Sequence, residues 1–352
     1  MTPAAMLAQI EVWARELGFQ QIGVSALDTG EHLARFDAWL AAGMAADMDW
    51  LAEHRDKRAD PALMWPGSLR VISARMDYLP EKEPDLIAKL DAREKALISR
   101  YALGRDYHRI VRKSLASLAK KIEGLTDSSH RAFVDSAPLL ERAYAEQAGL
   151  GWFGKNTMII NSRAGSYFFL GELLTSLPLP ISQPDTTPHC GSCNACIERC
   201  PTQAIIAPYQ VDSSRCISYI TIETIDPIPL ALRPLIGTRI FGCDDCQAVC
   251  PWNKFAQTTA RPADLGARDG FSEGNLIEWF FWSEETFLKK TEGMALRRAG
   301  FEIWLRNLAV ALGNTPTSPE IIAALNERRE SVSALVAEHI DWALARHTQA
   351  QS

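Results

Sequence analysis

The chain has 352 residues, of which 47% are apolar and 23% charged, and its formal net charge is −6. These values fit a soluble globular protein of two or three domains. No apolar run approaches the roughly 20 residues of a membrane span, which excludes a helical membrane protein and sets a cytoplasmic location as the expectation. The acidic sum gives no sign of nucleic-acid binding, although the distribution of charge matters more than its total.

In chain order, Met6, Leu7, Ile10, Trp13, Ala14 and Leu17 recur at helical spacing, and Gly18 ends the helix. A strand is expected near 21–26 and a second helix over 31–41. Around Arg55–Pro66 the sequence reads as a polar, proline-broken connection, and Leu69–Met76 as a buried strand. Residues 92–123 contain a helix interrupted near Gly104. Arg131–Val134 is a strand ending in Asp135-Ser136-Ala137-Pro138, and Leu139–Ala148 is helical. Thr157–Ile160 and Ser166–Leu174 are expected to pair as a hairpin across 161–165. Four prolines in 178–189 mark a linker. Beyond Asn253 the polar stretch 258–270 leads to a helical tail. There Trp304, Leu305, Leu308 and Leu312 share a face that Gly313 should end, Ser318-Pro319-Glu320 forms a cap, and Val332, Leu335, Val336, Ile340 and Ala343 form the last stripe. The tail has HEAT-like character, and so short an array must pack on the body.

The eight cysteines lie in two patches and one isolated position. CGSCNACIERCP (190–201) has the spacing of a bacterial ferredoxin half, CDDCQAVCP (243–251) lacks one leading thiol, and Cys216 restores the count. Eight thiolates suit two 4Fe–4S clusters. Three thiols of one tight loop grip one cubane, and the cysteine before each proline reaches the other cluster. Cys190, Cys193, Cys196 and Cys250 are therefore assigned to the first cluster, and Cys200, Cys216, Cys243 and Cys246 to the second. Zinc would show two C-x-x-C pairs instead, and disulfides would need an oxidising compartment, for which there is no secretory leader.

Between Arg93 and Lys121 stand nine basic residues against two acidic ones, with Tyr101 and Tyr107 interleaved. Such a stripe can hold phosphates and stack bases, or it can be a solvated helix face opposite Leu115, Leu118 and Ile122. Gly149-x-Gly151-x-x-Gly154 matches the dinucleotide fingerprint in letters, but a helix precedes it and a strand follows, so it reads as a helix exit. Lys155 and Asn156 beside it are candidate substrate contacts, since glycines allow close backbone approach. Asp106-x-His108 begins the D-x-H-x-x-G pattern of histidine-ligated cobalamin, but Val111 replaces the glycine. His108 is then a ligand to substrate or phosphate, or simply solvated. Asp135 is either a helix cap or, if burial raises its pKa, a proton donor.

RYALGRDYHR (100–109), RAFVDSAPLLER (131–142), GLGWFGKNTMIIN (149–161), the cysteine array and CISYITIE (216–223) together resemble the epoxyqueuosine reductase family. The resemblance implies an α+β protein with an N-terminal α/β corrinoid-binding domain (1–180), a ferredoxin-like two-cluster module (181–255) and a C-terminal α-helical HEAT-like region (256–352). It implies cob(II)alamin fed one electron at a time through the clusters, and reduction of epoxyqueuosine to queuosine at the wobble position of tRNA. Asp135 matches the family's proton donor, which displaces the capping reading, and an apolar corrin face would raise its pKa. Arg58, Ile160, Leu170, Ser218, Cys243 and Asp244 fall in segments that line the corrinoid, as does Asp135. Arg105, Tyr107, His108, Arg109 and Arg112 become the anticodon-loop surface. A flavodoxin- or ferredoxin-like electron donor and a monomer are expected. The rivals are a corrinoid iron–sulfur enzyme acting on a small molecule, such as a reductive dehalogenase, and a ferredoxin-type carrier fused to a binding module. The roughly 180 residues before the clusters exceed what a carrier needs.

Overall fold

The structure is a computed structural model and describes residues 1–184, 187, 189–271 and 274–349. Eight helices and strands position the N-terminal site: α1 (Pro3–Glu16), β1 (Gln21–Ser25), α2 (Glu31–Ala41), β2 (Arg70–Asp77), α3 (Tyr107–Glu123), β3 (His130–Phe133), α4 (Glu141–Gln147) and β4 (Phe168–Thr175). The strands form one sheet in the order β1-β2-β4-β3, and every pairing is antiparallel. The expected α/β domain is therefore an α+β sandwich without parallel crossovers.

Helices cover both faces of this sheet, which is why β2 is buried from Val71 through Asp77 without alternation. On one face α1 and α3 pack on Ile72, Ala74, Met76, Phe169 and Leu173. On the other, α4 brings Tyr144 against Val71 and Leu174, and Ala145 and Ala148 against Phe168. Gly171 lets α3 approach closely, because a Cβ there would lie 2.6 Å from Val111 Cγ1.

The expected hairpin does not form. Ile159–Ile160 pairs with Trp152–Phe153, while β4 runs between β2 and β3. The mostly apolar FFLGELLT strand needs burial on both faces, which only the centre of the sheet supplies. The Arg55–Pro66 connection is instead helical turns at Arg55–Ala59 and Pro61–Leu63, with the Asp60 side chain capping the second.

Four further helices matter here: α5 (Ile217–Ile222), α6 (Phe301–Asn314), α7 (Pro319–Arg329) and α8 (Ala334–Gln349). Gly313 does not stop α6. It lies inside the helix, where a Cβ would come within 2.7 Å of Trp342 and 2.8 Å of Ala343, so the glycine lets α8 pack closely. The tail helices share a second core with Ala96, Ala102, Ile240 and Phe241, and Leu97–Ile98 pairs in parallel with Arg239–Phe241. Residues near 96–102, expected in the N-terminal domain, thus join the core of the tail. Arg306 and Asn307, both buried, donate to the carbonyls of Ile220, Thr221, Thr224, Asp226 and Ile240, which anchors α6 to the cysteine-bearing region.

Candidate active site

Asp106 caps the N-terminus of α3, accepting the His108 amide at 3.1 Å. It also meets His108 Nδ1 at 2.7 Å, while His108 Nε2 lies 2.9 Å from Asp135 Oδ2. Both ring nitrogens thus face carboxylates, an arrangement that favours the doubly protonated imidazolium. Burial works against that charge, but the Asp106 and Asp135 hydrogen bonds outweigh it and raise the His108 pKa. Tyr107 stacks flat on Phe169 and donates its hydroxyl to Asp135 Oδ2 at 2.6 Å. Burial and then the Asp135 charge push the Tyr107 phenol far up, so it remains a donor.

Asp135 has a left-handed φ of 48° and a side chain that is 55% exposed. Burial of the loop favours its neutral form, but the bonds from His108 and Tyr107 prevail and hold its carboxyl below the ordinary value. This corrects the expected upward shift: the two donors at the N-terminus of α3 outweigh desolvation. Its backbone N–H donates to Glu141 Oε1. Sequence reasoning missed Asp106 as a partner of His108 and missed Glu141 and Glu172 altogether. Glu172 carried a visible signal, a carboxylate in the middle of an apolar strand.

The thiols form two groups. Cys190, Cys193, Cys196 and Cys250 line one cavity of about 390 Å³ together with Lys155, Asn156, Ile160 and Trp252. In the second group burial raises the Cys216 thiol to about 11, and Cys200 adds to it. Burial likewise raises Cys246, with Cys216 and Cys200 as its nearest thiol influences, and Cys243, with Asp245 and Cys246 beside it. Two groups of four thiols fit two cubane clusters, each of which would hold its ligands as thiolates. Among the described residues no three His, Cys, Asp or Glu side chains close on a single ion. Short helices Ala195–Arg199 and Asp245–Ala248, one from each cysteine patch, pack together.

Lys155 and Asn156, the candidate substrate contacts, turn toward these loops. Lys155 Nζ donates to the carbonyls of Gly191 and Cys193, both at 2.8 Å, and to Asn194 Oδ1 at 3.0 Å. Asn156 donates to the Cys246 carbonyl at 3.2 Å. Ile160 lies on the cluster cavity, and Asp244 is buried and bonded to Ser99 Oγ at 2.5 Å and the Arg100 amide at 2.9 Å. Cys243 stays with the second thiol group. Asp135 and half-buried Leu170 and Ser218 remain open enough to meet a ligand. Arg58 is buried between the Phe36 and Trp50 rings, and among the described residues no carboxylate pairs with it. A buried guanidinium without a counter-charge suits a large ligand bearing anionic or carbonyl groups, and the corrinoid is one.

On the outer face of α3, Arg109, Arg112, Lys113 and Lys120 are exposed, and Arg105 precedes them at 68% exposure. Arg100 of the same stripe is instead paired inward with Glu83 and Asp244. A cleft of about 770 Å³ adjoins Arg105 and is lined by Arg268, Lys289 and Lys290 as well as Asp269. Those three cations lie too far along the chain from the stripe to be grouped with it by sequence.

Thiols in two groups beside an α+β sandwich define a class, the two-cluster iron–sulfur proteins, and residues 189–253 match the 4Fe-4S double cluster binding domain. Residues 58–136 match the domain described as Epoxyqueuosine reductase QueG, DUF1730. An epoxyqueuosine reductase of Pseudomonas aeruginosa is 55% identical over 346 residues, covering 98% of this chain and 95% of that one. The crystal structure of an epoxyqueuosine reductase with an epoxyqueuosine-modified tRNA-Tyr stem loop is similar with a TM-score of 0.82 and 25% identity, covering 98% of this chain and 99% of that one. A structure from Bacillus subtilis, in which an aspartate catalytic loop is swung out of the active site, is similar at 0.84 and 26% identity, covering 97% and 90%. The chain belongs to the epoxyqueuosine reductase family.

Proposed function

We propose that this protein reduces epoxyqueuosine to queuosine at the wobble position of tRNA, in the cytoplasm and as a monomer. The conversion takes two electrons and two protons, opens the epoxide to an alkene and releases water. The electrons come from a flavodoxin- or ferredoxin-like protein and enter at the thiol group containing Cys193, which is exposed. The second thiol group adjoins the site: Gly242 packs on Ser99 and Tyr101, and Tyr101 meets Tyr107 edge to face. Cobalamin, when bound, would supply the low-potential centre for this reduction, and we assign Arg58, Leu170, Ser218 and Asp135 to hold it.

The chain's own part is proton supply and positioning. His108, held cationic by Asp106, passes a proton from Nε2 to Asp135, which delivers it to the epoxide oxygen. Tyr107 keeps the Asp135 carboxyl oriented. The stripe of Arg105, Arg109 and Arg112, extended by Arg268, Lys289 and Lys290, takes the phosphates of the anticodon arm. The observation that carries this reading is the Asp106–His108–Asp135 chain opening to solvent beside the second thiol group. The test is single-turnover reduction of an epoxyqueuosine-bearing stem loop by protein reconstituted anaerobically with iron, sulfide and cob(II)alamin, followed by nucleoside mass spectrometry. Queuosine must appear; its absence from protein loaded with both cofactors would overturn the assignment.

A further inference from the structure

We propose that Glu141 and Glu172 share one proton and so form a latch that holds the Asp135 backbone in its working conformation and releases it when that proton is lost. The inference rests on Asp135 as the proton donor but concerns what holds it there.

Glu172 lies at the centre of β4, opposite Ser73 of β2 and Phe133 of β3, and is fully buried. Neither of its oxygens meets a hydrogen-bond donor, and the group it faces is the Glu141 carboxyl. Two carboxylates in contact cannot both ionise, whereas one proton between them turns repulsion into a strong O–H···O bond. Glu141 in turn accepts the N–H of Asp135, whose positive φ costs energy in a residue other than glycine. The chain of contacts runs from Glu172 through Glu141 to the Asp135 amide, and it fixes a strained loop from inside the sheet.

Among the described residues neither glutamate has an ion-pair partner, although the charge of nearby Arg142 favours an ionised Glu141. Arg142 turns to the Thr157 carbonyl at 2.7 Å, and Arg75, on the same face of β2, is committed to Asp77 at 3.2 Å. Tyr144 of α4 donates to the Leu27 carbonyl at 2.9 Å. Asp135 adds negative charge, and His108 lies beyond it. Burial, and then Asp135, push Glu141 up to about 7, while burial and Glu141 push Glu172 further up. The pair thus titrates in two steps that belong to both residues, and the shared proton is the last to leave. The latch is set on the acid side of the upper step and lost as pH rises through it.

The test is amide hydrogen exchange of residues 131–140 in the reconstituted holoprotein, corrected for the intrinsic pH dependence and compared with the E172Q and E172L variants. Wild-type protection at Asp135 should fall about ten-fold per pH unit on the alkaline side. E172Q keeps a donor toward Glu141 that cannot titrate, so its protection should stay flat with pH. E172L should lose protection at every pH. In turnover of the stem loop, E172Q should remain near wild type while E172L loses about ten-fold or more in kcat with KM unchanged. Cluster absorbance checks that each variant is folded. Wild-type protection that does not change with pH, or E172Q and E172L behaving alike, would overturn the latch. Loss of the donor role of Asp135 shows separately, as full turnover by D135N, and leaves the exchange result intact.

Discussion

Asp135 works through what surrounds it. Its carboxyl accepts from both His108 and Tyr107, and in the proposed reaction the proton resides on His108 until it is delivered. Replacing it by Asn should leave the clusters and RNA binding intact and lower single-turnover reduction about 10²–10⁴-fold, the usual range for a lost proton-transfer group. Undiminished reduction would remove the assignment. Asp106 is the support for His108 charge, through the 2.7 Å contact at Nδ1. The raised His108 pKa means that the imidazolium persists below it and is lost as pH rises through it. In D106N that transition should move to lower pH, as read by NMR titration of the imidazole. An unmoved transition would show that Asp106 serves only as the cap of α3.

At the level of elements, two contacts decide how segments distant in sequence dock. The Lys155 ammonium binds three oxygens of the 191–194 segment, between two cysteines of the first group. K155M should lower iron per chain and, in the clusters that remain, shift the midpoint potential of the first cluster downward, because a nearby cation favours the reduced, more negative state. Equal iron content and potential would make Lys155 dispensable to the cluster. Gly313 lies where α6 and α8 cross, with no room for a methyl group. G313A should cost about 1–3 kcal/mol by overpacking and lower Tm, with cluster absorbance unchanged. A Tm equal to wild type would show that α8 shifts at no cost.

At the scale of the whole molecule the tail is fastened to the cysteine-bearing region by buried polar groups. His339 of α8 accepts the Ile228 amide at 3.0 Å and meets the Leu335 carbonyl at 2.7 Å, so it must be neutral. Burial lowers its pKa to about 4. A depressed histidine stabilises the fold above its unfolded pKa of about 6.5 and loses that contribution as pH falls toward 4, a loss of about 3 kcal/mol. Acid melts of wild type should show this loss, and H339Q should flatten it; identical acid profiles would exclude His339 as the sensitive group. The cysteine spacing, the amphipathic stripe of α3 and the helical tail were legible in the sequence, because ligand spacing and 3.6-residue periodicity are local properties of a chain. The family resemblance added the donor role of Asp135. The pairing partner of β4, the membership of residues 96–102 in the core of the tail, the inward turn of Lys155 and Arg100, and the meeting of Glu141 with Glu172 were decided only by tertiary structure. Each depends on which distant segments share a buried volume, and a residue's charge state follows from that volume, not from its neighbours in the chain.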